Sequence, residues 1–353
     1  MEITGAGRLE VRITPLDVGK RVSIRRLVDP SEGAGTFTDV VGVLTSWDES
    51  GVLVITRRTG QVVRVPETSL VAGKTVPDAP ARRRGPAADF AELTRVASRA
   101  WRPVESERLG EWELRAASGF TRRANSALAL GDPGIPLDEA LDRVRSWYAE
   151  RSLPAYVQAA TGAAGTQEAL CAALEERGWR REVSADVRIG ALAPVADLDA
   201  DRDRVTLSRT AGGPGGGWLR RYQRASGEPA PHMLRVLESG PSVWFASVAA
   251  ESGDGSGDGS GSGSGDDGTP VAIGRCVVDG RWAGFMAVEV DPARRRRGLA
   301  RAVMAALAGR ALEEGASAAW LQVEKENTAA GALYAGMGFT THHSYHHYRG
   351  PRD

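Results

Sequence analysis

Two stretches of this chain, residues 125–179 and 285–339, carry the same order of secondary-structure patterns. Each has the pattern of a strand, a helix, a second strand and a second helix, and each ends in a glycine followed by an aromatic residue. The two stretches align with few changes of length. Self-similarity of this kind indicates an internal duplication, so the sequence predicts two related halves that mix helices and strands.

Hydrophobic spacing gives the elements of these halves. Apolar residues recur with a 3.6-residue period from about Leu137 and again from Gly298 to about Glu314, which predicts a helix in each half. Alternating apolar and polar residues predict strands, including two at 112–117 and 121–130. Each half is therefore expected to form a sheet flanked by helices.

The first 76 residues have a different pattern. Short runs of alternating apolar and polar residues predict five strands, at 9–13, 21–27, 40–47, 52–56 and 62–66. Five strands in so short a stretch predict a small meandering barrel of the SH3-like kind.

Composition marks the expected boundaries. Residues 77–86 are rich in proline, arginine and alanine and predict a linker, and residues 252–268 contain only Ser, Gly and Asp, which is typical of a disordered loop. The expected division is a barrel at 1–76, the linker at 77–86, a first half at 87–203 and a second half at 204–353.

Charge and cysteine content exclude several classes of protein. The 45 basic residues balance 45 acidic ones, so binding of nucleic acid through bulk charge is not indicated. Cys171 and Cys276 are too few for a disulfide framework and fit a reducing compartment. The N-terminus lacks the pattern of a signal peptide, and no apolar run is long enough to span a membrane. We therefore expect a cytoplasmic protein with no membrane partner.

The segment with the clearest chemistry joins a strand at 285–290 to the helix that begins at Gly298. Between them lie Asp-Pro-Ala and four arginines, Arg294 to Arg297. A strand, a short turn and a helix that opens with small residues place free backbone N–H groups and the positive end of the helix dipole together. This arrangement suits a pyrophosphate, although an arginine run alone fits a solvated surface or a nucleic-acid patch.

Residues 290–300, Val-Asp-Pro-Ala-Arg-Arg-Arg-Arg-Gly-Leu-Ala, resemble the acetyl-CoA-binding motif of the GCN5-related N-acetyltransferases (GNAT). The resemblance continues through residues 321–327, Tyr334 and the Gly-Phe pair at 338–339, and covers about 271–348. It implies the α+β GNAT fold, a mixed sheet flanked by helices, here in tandem with a degenerate first copy and preceded by the barrel. It also implies acetyl-CoA as co-substrate.

The resemblance carries site roles to the matching positions. The strand backbone would hydrogen-bond the pantetheine arm, the first turn of the helix would hold the pyrophosphate through its amides, and Tyr334 would protonate the departing thiolate. The cofactor-binding residues that it implies are Val288, Val290, Arg295, Arg296, Arg297, Gly298, Leu299, Ala300, Arg301 and Asn327.

The general base is not given by these motifs. The positions at which two branches of the family carry a glutamate are Gly284 and Gln322 here, and neither side chain can accept a proton. Glu324 lies two residues beyond Gln322 on the same strand face and is the first candidate. Glu289 is typical of a solvated strand-edge carboxylate. A water chain, or an amine that arrives neutral, is the alternative to a protein base.

The first half lacks the motif residues of the second half. Residues 131–136 contain two prolines, which have no amide to donate, and Leu174 stands where the second half has Tyr334. Its stretch 119–126, Gly-Phe-Thr-Arg-Arg-Ala-Asn-Ser, is expected beside the acceptor cleft. Four histidines lie at 342–347, and no Asp, Glu or Cys there completes a metal-ligand set, so no metal is expected. The segment is instead expected to form a strand next to that cleft.

These features predict an acetyl-CoA-dependent N-acetyltransferase that moves an acetyl group to a primary amine of a small molecule or protein by direct attack on the thioester. The alternative is a non-catalytic acyl-CoA-binding regulatory protein, which the missing strand glutamate favours. The barrel is expected to serve a protein partner or stability. Nucleic-acid binding through the barrel and the arginines of the linker is a third hypothesis.

Overall fold

The computed structural model describes residues 11–27, 37–57, 60–76, 86–211, 217–224, 229–250 and 268–351. The chain divides into two compact units, Met1–Arg84 and Gly85–Asp353. Nearly all of the predicted loop at 252–268 and of the predicted linker at 77–86 lies outside the described residues. Within the described part, no helix combines the length and the apolar character that crossing a membrane requires.

The first unit is an antiparallel sheet of five strands, β1 (Arg21–Leu27), β2 (Phe37–Trp47), β3 (Val52–Thr56), β4 (Val62–Pro66) and β5 (Leu70–Thr75). Their order is β4-β3-β2-β1-β5, and alternating residues such as Val22, Ile24, Leu53 and Ile55 form the core. The expectation of a small N-terminal β-barrel is confirmed.

Two details of that barrel differ from the prediction. The predicted first strand at 9–13 is wrong in its described part, because only Val11 makes a bridge, to Gly73. The fifth strand is instead β5, which the sequence did not indicate because Gly73 interrupts its apolar pattern. A side chain at Gly73 would lie within 3 Å of Ile13, so glycine allows β5 to pack against the core.

The second unit contains eight helices within its described residues. They are α1 (Phe90–Arg99), α2 (Leu137–Ala149), α3 (Glu168–Glu176), α4 (Ala193–Ala196), α5 (Gly217–Arg221), α6 (Pro231–Leu237), α7 (Leu299–Glu313) and α8 (Thr328–Gly336). Asp89 caps α1 by accepting a hydrogen bond from the amide of Glu92 at 2.6 Å.

Its strands form one sheet. They are β6 (Glu105–Leu109), β7 (Trp112–Ala116), β8 (Ala127–Leu128), β9 (Tyr156–Thr161), β10 (Arg180–Ala191), β11 (Val205–Ser208), β12 (Ser242–Val248), β13 (Ala272–Asp279), β14 (Trp282–Val290), β15 (Ala318–Glu324) and β16 (Thr340–Arg349). The order is β11-β12-β13-β14-β15-β10-β16-β9-β8-β7-β6. Only β8–β9 and β14–β15 pair in parallel within the described sheet, so the predicted mixed sheet flanked by helices is confirmed.

The two halves exchange their last strands. The series β8-α2-β9-α3-β10 has the same element order as β14-α7-β15-α8-β16. However, β10 pairs with β15 of the other half, and β16 pairs with β9. The two exchanged strands also pair with each other at the centre of the sheet. The halves therefore share one sheet, while their origin by duplication and the boundary at 203/204 stay predictions.

Alternation along the strands divides the core between the two sheet faces. Trp282 and Met286 of β14 lie in a cluster that includes residues of α1, α5 and α6. Ala283 and Phe285 point to the opposite face, where they pack with Val303 and other residues of α7. Helices thus cover both faces of the sheet. The ends of β14 and β15 are the place where its strands separate.

Candidate active site

Strands β14 and β15 separate partway along their length. They pair in parallel only between Trp282–Phe285 and Ala318–Leu321. Just beyond this point β14 contains a β-bulge: its register with β13 shifts, and Ala287 has a φ of +50°. A bulge bends its strand and interrupts pairing, so the β15-facing edge of β14 is left without a strand partner among the described residues.

A cleft of about 310 Å³ lies at this separation. Its sides are the ends of β14 and β15 and the start of α8, and its floor is a patch in which Val183 pairs with His347 and Ala185 with Tyr345 across β10 and β16. The exchanged strands thus build the floor. The residues that contribute to the cleft are Arg122, Arg123, Val183, Ala185, Tyr222, Gln223, Arg224, Phe285, Met286, Ala287, Val288, Glu289, Gln322, Val323, Glu324, Asn327, Ala330, Tyr334, Tyr345 and His347.

The turn after β14 leads into α7 through two left-handed residues. Arg296 has a φ of +65°, and Gly298, the N-cap of α7, has a φ of +78°. No side chain of the described residues caps this helix, and its first backbone bond runs from the amide of Ala302 to the carbonyl of Gly298. The backbone amides before Ala302 therefore have no hydrogen-bond partner within the helix. A Cβ at Gly298 would meet no protein atom within 4 Å other than its chain neighbours.

The predicted phosphate-binding residues are adjacent at this turn. Arg295, Arg296 and Arg297 are exposed, whereas Leu299 is buried against the core, and no acidic residue occupies the first turn of α7. Positive side chains at a helix N-terminus reinforce the positive end of the helix dipole. The open space in front of Gly298 and this charge together fit a pyrophosphate.

Asp291 fixes the start of the turn. Its Oδ1 accepts a hydrogen bond from the amide of Ala293 at 2.8 Å, and its Oδ2 accepts one from Nη2 of Arg221 at 2.7 Å. The amide of Ala293, followed by the charge of Arg221, holds the pKa of Asp291 below its usual value. Sequence reasoning missed Arg221, because the residue lies 70 positions away on α5 and no local pattern connects the two.

Tyr334 and Asn327 both contribute to the cleft from α8. Tyr334 is buried, its ring packs against Phe339 with centroids 6.1 Å apart, and burial raises its pKa to about 12. Its phenol therefore remains protonated at neutral pH. Asn327 is the N-cap of α8 and accepts a hydrogen bond from the amide of Ala330 at 3.1 Å, which leaves its amide nitrogen as the donor available to a ligand.

Two carboxylates line the cleft in different environments. Glu324, the base expected from the sequence, has a half-exposed side chain, and its Oε1 accepts a hydrogen bond from Nη2 of Arg224 at 3.3 Å. Glu289 is less exposed and accepts a hydrogen bond from the amide of Gln223 at 2.9 Å. Burial raises the pKa of Glu289. The alternating pattern of the strand did not indicate the burial of Glu289, because the bulge and the residues after α5 create it.

The loop at 119–126 contributes two arginines to the cleft, where the sequence predicted a strand from residue 121. Asn125 holds the loop in shape: its Oδ1 accepts from the amides of Ala117 and Gly119, and its Nδ2 donates to the carbonyls of Phe120 and Thr121. The strand prediction is wrong for 121–126 because these side-chain bonds replace strand pairing. Its end, Ala127–Leu128, does form β8.

The histidines of β16 lie in different environments. His346 is hydrogen-bonded to Ser184 at 2.8 Å and to Thr161 at 2.9 Å. His347 is buried on the cleft floor, and neither of its ring nitrogens has a hydrogen-bond partner among the residues that the structure describes. Burial holds the pKa of His347 well below its usual value, so the ring is neutral. No three metal-ligating side chains come together in the described residues.

The matching region of the first half has another character. The residues before α2 and α3 line a groove that contains Trp112, Pro133, Ile135 and Leu170, with no arginine among its lining residues. Asp138 and Glu139 occupy the first turn of α2. Negative charge at that place disfavours a phosphate.

Comparison with known proteins agrees with this geometry. A family model described as "Probable histone acetyltransferase Rv0428c C-terminal" matches residues 87–348, and one described as the "Rv0428c N-terminal Sm-like domain" matches residues 16–74. The chain is 28% identical over 339 residues to "Probable histone acetyltransferase Rv0428c" of Mycobacterium tuberculosis, which covers 92% of this chain and 93% of that protein.

Two further similarities are more distant. The chain is 26% identical over 268 residues to "Uncharacterized N-acetyltransferase YobR" of Bacillus subtilis, which covers 74% of this chain and 98% of that protein. A GCN5-related N-acetyltransferase from Kribbella flavida has a similar fold, with a TM-score of 0.51, 17% identity, and coverage of 74% of this chain and 96% of the other. Since the family model spans most of the sequence, the chain belongs to the Rv0428c family, and its fold is that of a GCN5-related N-acetyltransferase.

Proposed function

We propose that this chain transfers the acetyl group of acetyl-CoA to a primary amine of a small molecule or a protein, by direct attack of the amine on the thioester. The observation that carries this proposal is the cleft at the separated ends of β14 and β15. One edge of that cleft continues directly into the arginine-rich turn before α7, and Tyr334 lines the same cleft.

The residues of this site fit acetyl-CoA. The edge of β14 around Val288 and Val290 has no strand partner among the described residues, so its backbone groups can bond an extended pantetheine arm as an added strand. The amides of Leu299, Ala300 and Arg301 can hold the pyrophosphate, with charge from Arg295, Arg296 and Arg297. Acetyl-CoA supplies the activated acetyl group, and Asn327 has an amide nitrogen to donate to the pantetheine.

The chemistry balances with groups from the cleft. A bond forms between the amine nitrogen and the acetyl carbon, and the bond between that carbon and sulfur breaks. The amine loses a proton to a base, and the sulfur gains one from the Tyr334 phenol. The raised pKa keeps the Tyr334 phenol protonated at neutral pH, so a proton is present in the cleft when the thiolate leaves.

Two carboxylates compete for the role of base. Glu324, the residue expected from the sequence, is partly neutralised by Arg224. Glu289 is favoured by its burial, since a raised pKa brings a carboxylate closer to the pKa that a base needs at neutral pH. We assign this chemistry to the second unit, and a protein partner for the N-terminal unit stays a prediction.

A direct test combines binding with turnover. Isothermal titration would measure the affinity for acetyl-CoA, and release of CoA would be followed over a panel of small amines and lysine-containing peptides. We expect binding together with turnover of at least one amine. Tight binding of acetyl-CoA without turnover of any amine would contradict the proposal and favour a non-catalytic acyl-CoA-binding role.

A further inference from the structure

The arginines of the cleft are not equally compensated. Arg224 pairs with Glu324 at 3.3 Å, and Arg122 pairs with Glu182 at 3.6 Å. Arg123 has no such partner in the described part of the chain: its Nη1 donates to Oε1 of Gln322 at 2.7 Å, and its guanidinium lies 4.6 Å from the centroid of the Trp101 ring. Its contacts with described residues are all neutral, although it lines the cleft.

Two further guanidinium groups are buried behind Arg123. Arg115 donates to the carbonyl and hydroxyl oxygens of Ser126 and to Oε1 of Gln158, all between 2.9 and 3.0 Å. Arg275 lies 5.0 Å from the same Trp101 ring. Burial lowers the pKa of Arg275 to about 9, which leaves the group positive at neutral pH.

The hydrogen bonds of Arg275 also end on neutral atoms. The side chain donates to two backbone carbonyls of residues 237 and 239 and to the sulfur of Met286 at 3.0 Å. A thioether is a weak acceptor, and Met286 itself lines the cleft. Three positive charges thus lie together, and no carboxylate of the described residues is within ion-pair distance of them; Glu113 acts on Arg115 only from farther away. Buried charges are normally paired, so Arg123, the member that lines the cleft, can pair with an anion that enters it.

The cluster is connected to the cleft. A small cavity of about 20 Å³ borders both Arg115 and Arg123, and Arg123, Gln322 and Tyr345 line this cavity and the cleft alike. Such a cavity is large enough for about one water molecule. The only group of the cluster that reaches the cleft is Arg123, and the other two strengthen the positive potential at that point.

The remaining surfaces of the cleft limit what an acceptor can be. Glu289 offers a carboxylate for an ammonium group, and the floor of Val183, Ala185 and Tyr345 offers a small apolar surface. A lysine-rich peptide would bring several positive charges toward Arg123 and its buried neighbours, and like charges disfavour such binding. The guanidinium of Arg123, which has no ion-pair partner among the described residues, instead matches a single carboxylate.

We propose that the acceptor is a small amine with the chemistry of an amino acid, whose carboxylate pairs with Arg123 and whose amino group is held by Glu289. This inference rests on the proposed acetyl transfer and names its substrate class. It assigns Arg123 to specificity, whereas the residues of the arginine-rich turn before α7 serve acetyl-CoA.

The test uses matched compounds. The twenty amino acids, their carboxamides and their decarboxylated amines would be assayed for CoA release, and their binding would be measured by isothermal titration with CoA present. We expect at least one amino acid to have a kcat/KM about tenfold or more above that of its own carboxamide. The free energy of a hydrogen bond between charged groups corresponds to a ratio of this size.

The variant Arg123→Gln should raise KM for that amino acid about tenfold or more. It should leave KM for the carboxamide and the affinity for acetyl-CoA unchanged, and the unchanged affinity shows that the protein is folded. The control is Arg235→Gln, an exposed arginine of α6 that does not line the cleft, for which no constant should change.

Several outcomes would overturn the inference while leaving acetyl transfer intact. One is that lysine peptides or carboxamides are turned over faster than any amino acid. Another is that Arg123→Gln changes KM for amino acids and for their carboxamides equally. Failure of every amino acid to bind would also overturn it. If amino acids bind through Arg123 but no amine is acetylated, the acceptor site is supported and the proposed function fails.

Discussion

The two halves of the second unit have the same order of elements but opposite electrostatics at matching helix starts. Before α7, three exposed arginines and the left-handed Gly298 lead into a first turn without acidic residues. Before α2, Pro136 provides no amide, and Asp138 and Glu139 occupy the first turn. Among the described residues, the same order of elements thus gives a helix start that suits an anion in one half and one that does not in the other, so donors and charge, and not the fold, distinguish the two.

The largest difference between the halves should come from Tyr334, which corresponds to the buried Leu174. Tyr334→Phe removes the proposed acid, so kcat should fall about a hundredfold while the affinity for acetyl-CoA stays the same. The measurement is steady-state CoA release beside isothermal titration. Tyr148→Phe removes a buried hydroxyl of the first half, and it should lower stability without lowering kcat at saturating substrate. Equal kcat for wild type and Tyr334→Phe would reassign the acid.

A pH profile would show which carboxylate acts as base. Because a base must be ionised, kcat/KM should fall as the pH drops through the raised pKa of Glu289. Glu289→Gln should remove this limb and lower kcat/KM about tenfold to a hundredfold, whereas Glu324→Gln should keep it. A limb that disappears only in Glu324→Gln would return the role to the residue expected from the sequence.

A glycine pair compares the two helix starts directly. Gly298 has a φ of +78° and Gly134 one of +77°, and a Cβ at either position has room. Alanine at each site should cost about 1–2 kcal/mol of stability, since left-handed backbone disfavours a side chain. Only Gly298→Ala should also weaken acetyl-CoA binding, by about tenfold if one charge-assisted bond to the phosphate is lost. Equal Kd values for both variants would place the pyrophosphate elsewhere.

The smallest expected effect concerns stability. Burial raises the folded-state pKa of Glu289 above its ordinary value of 4.5, so the ionised side chain destabilises the fold at neutral pH, and this penalty disappears as the pH falls below that value. Glu289→Gln should therefore raise the Tm by about 2 °C or less at pH 8 and leave it unchanged near pH 4. A Tm gain that is the same at both pH values would mean that ionisation is not its cause.

Local patterns predicted the barrel, the arginine-rich turn, α7 and the Gly-Phe end of α8, because short-range spacing and capping determine each of them. The partners of β10 and β16 could not be predicted, since both strands alternate in the same way and either pairing satisfies that pattern. The contact of Arg221 with Asp291 and the burial of Glu289 depend on α5 and the residues after it, which hydrogen-bond to this region from a distant part of the sequence. The sequence therefore predicted the arginine-rich turn better than the floor of the cleft.

The strand exchange also has a consequence for biosynthesis. The strand that completes the sheet of the first half, β16, leaves the ribosome about 180 residues after β9, its neighbour in that sheet. Until β16 arrives, the first half has an open edge at β9, and the floor of the cleft lacks Tyr345 and His347. Folding during translation therefore cannot produce a finished first half, and a fragment that ends before Thr340 should expose that edge to aggregation.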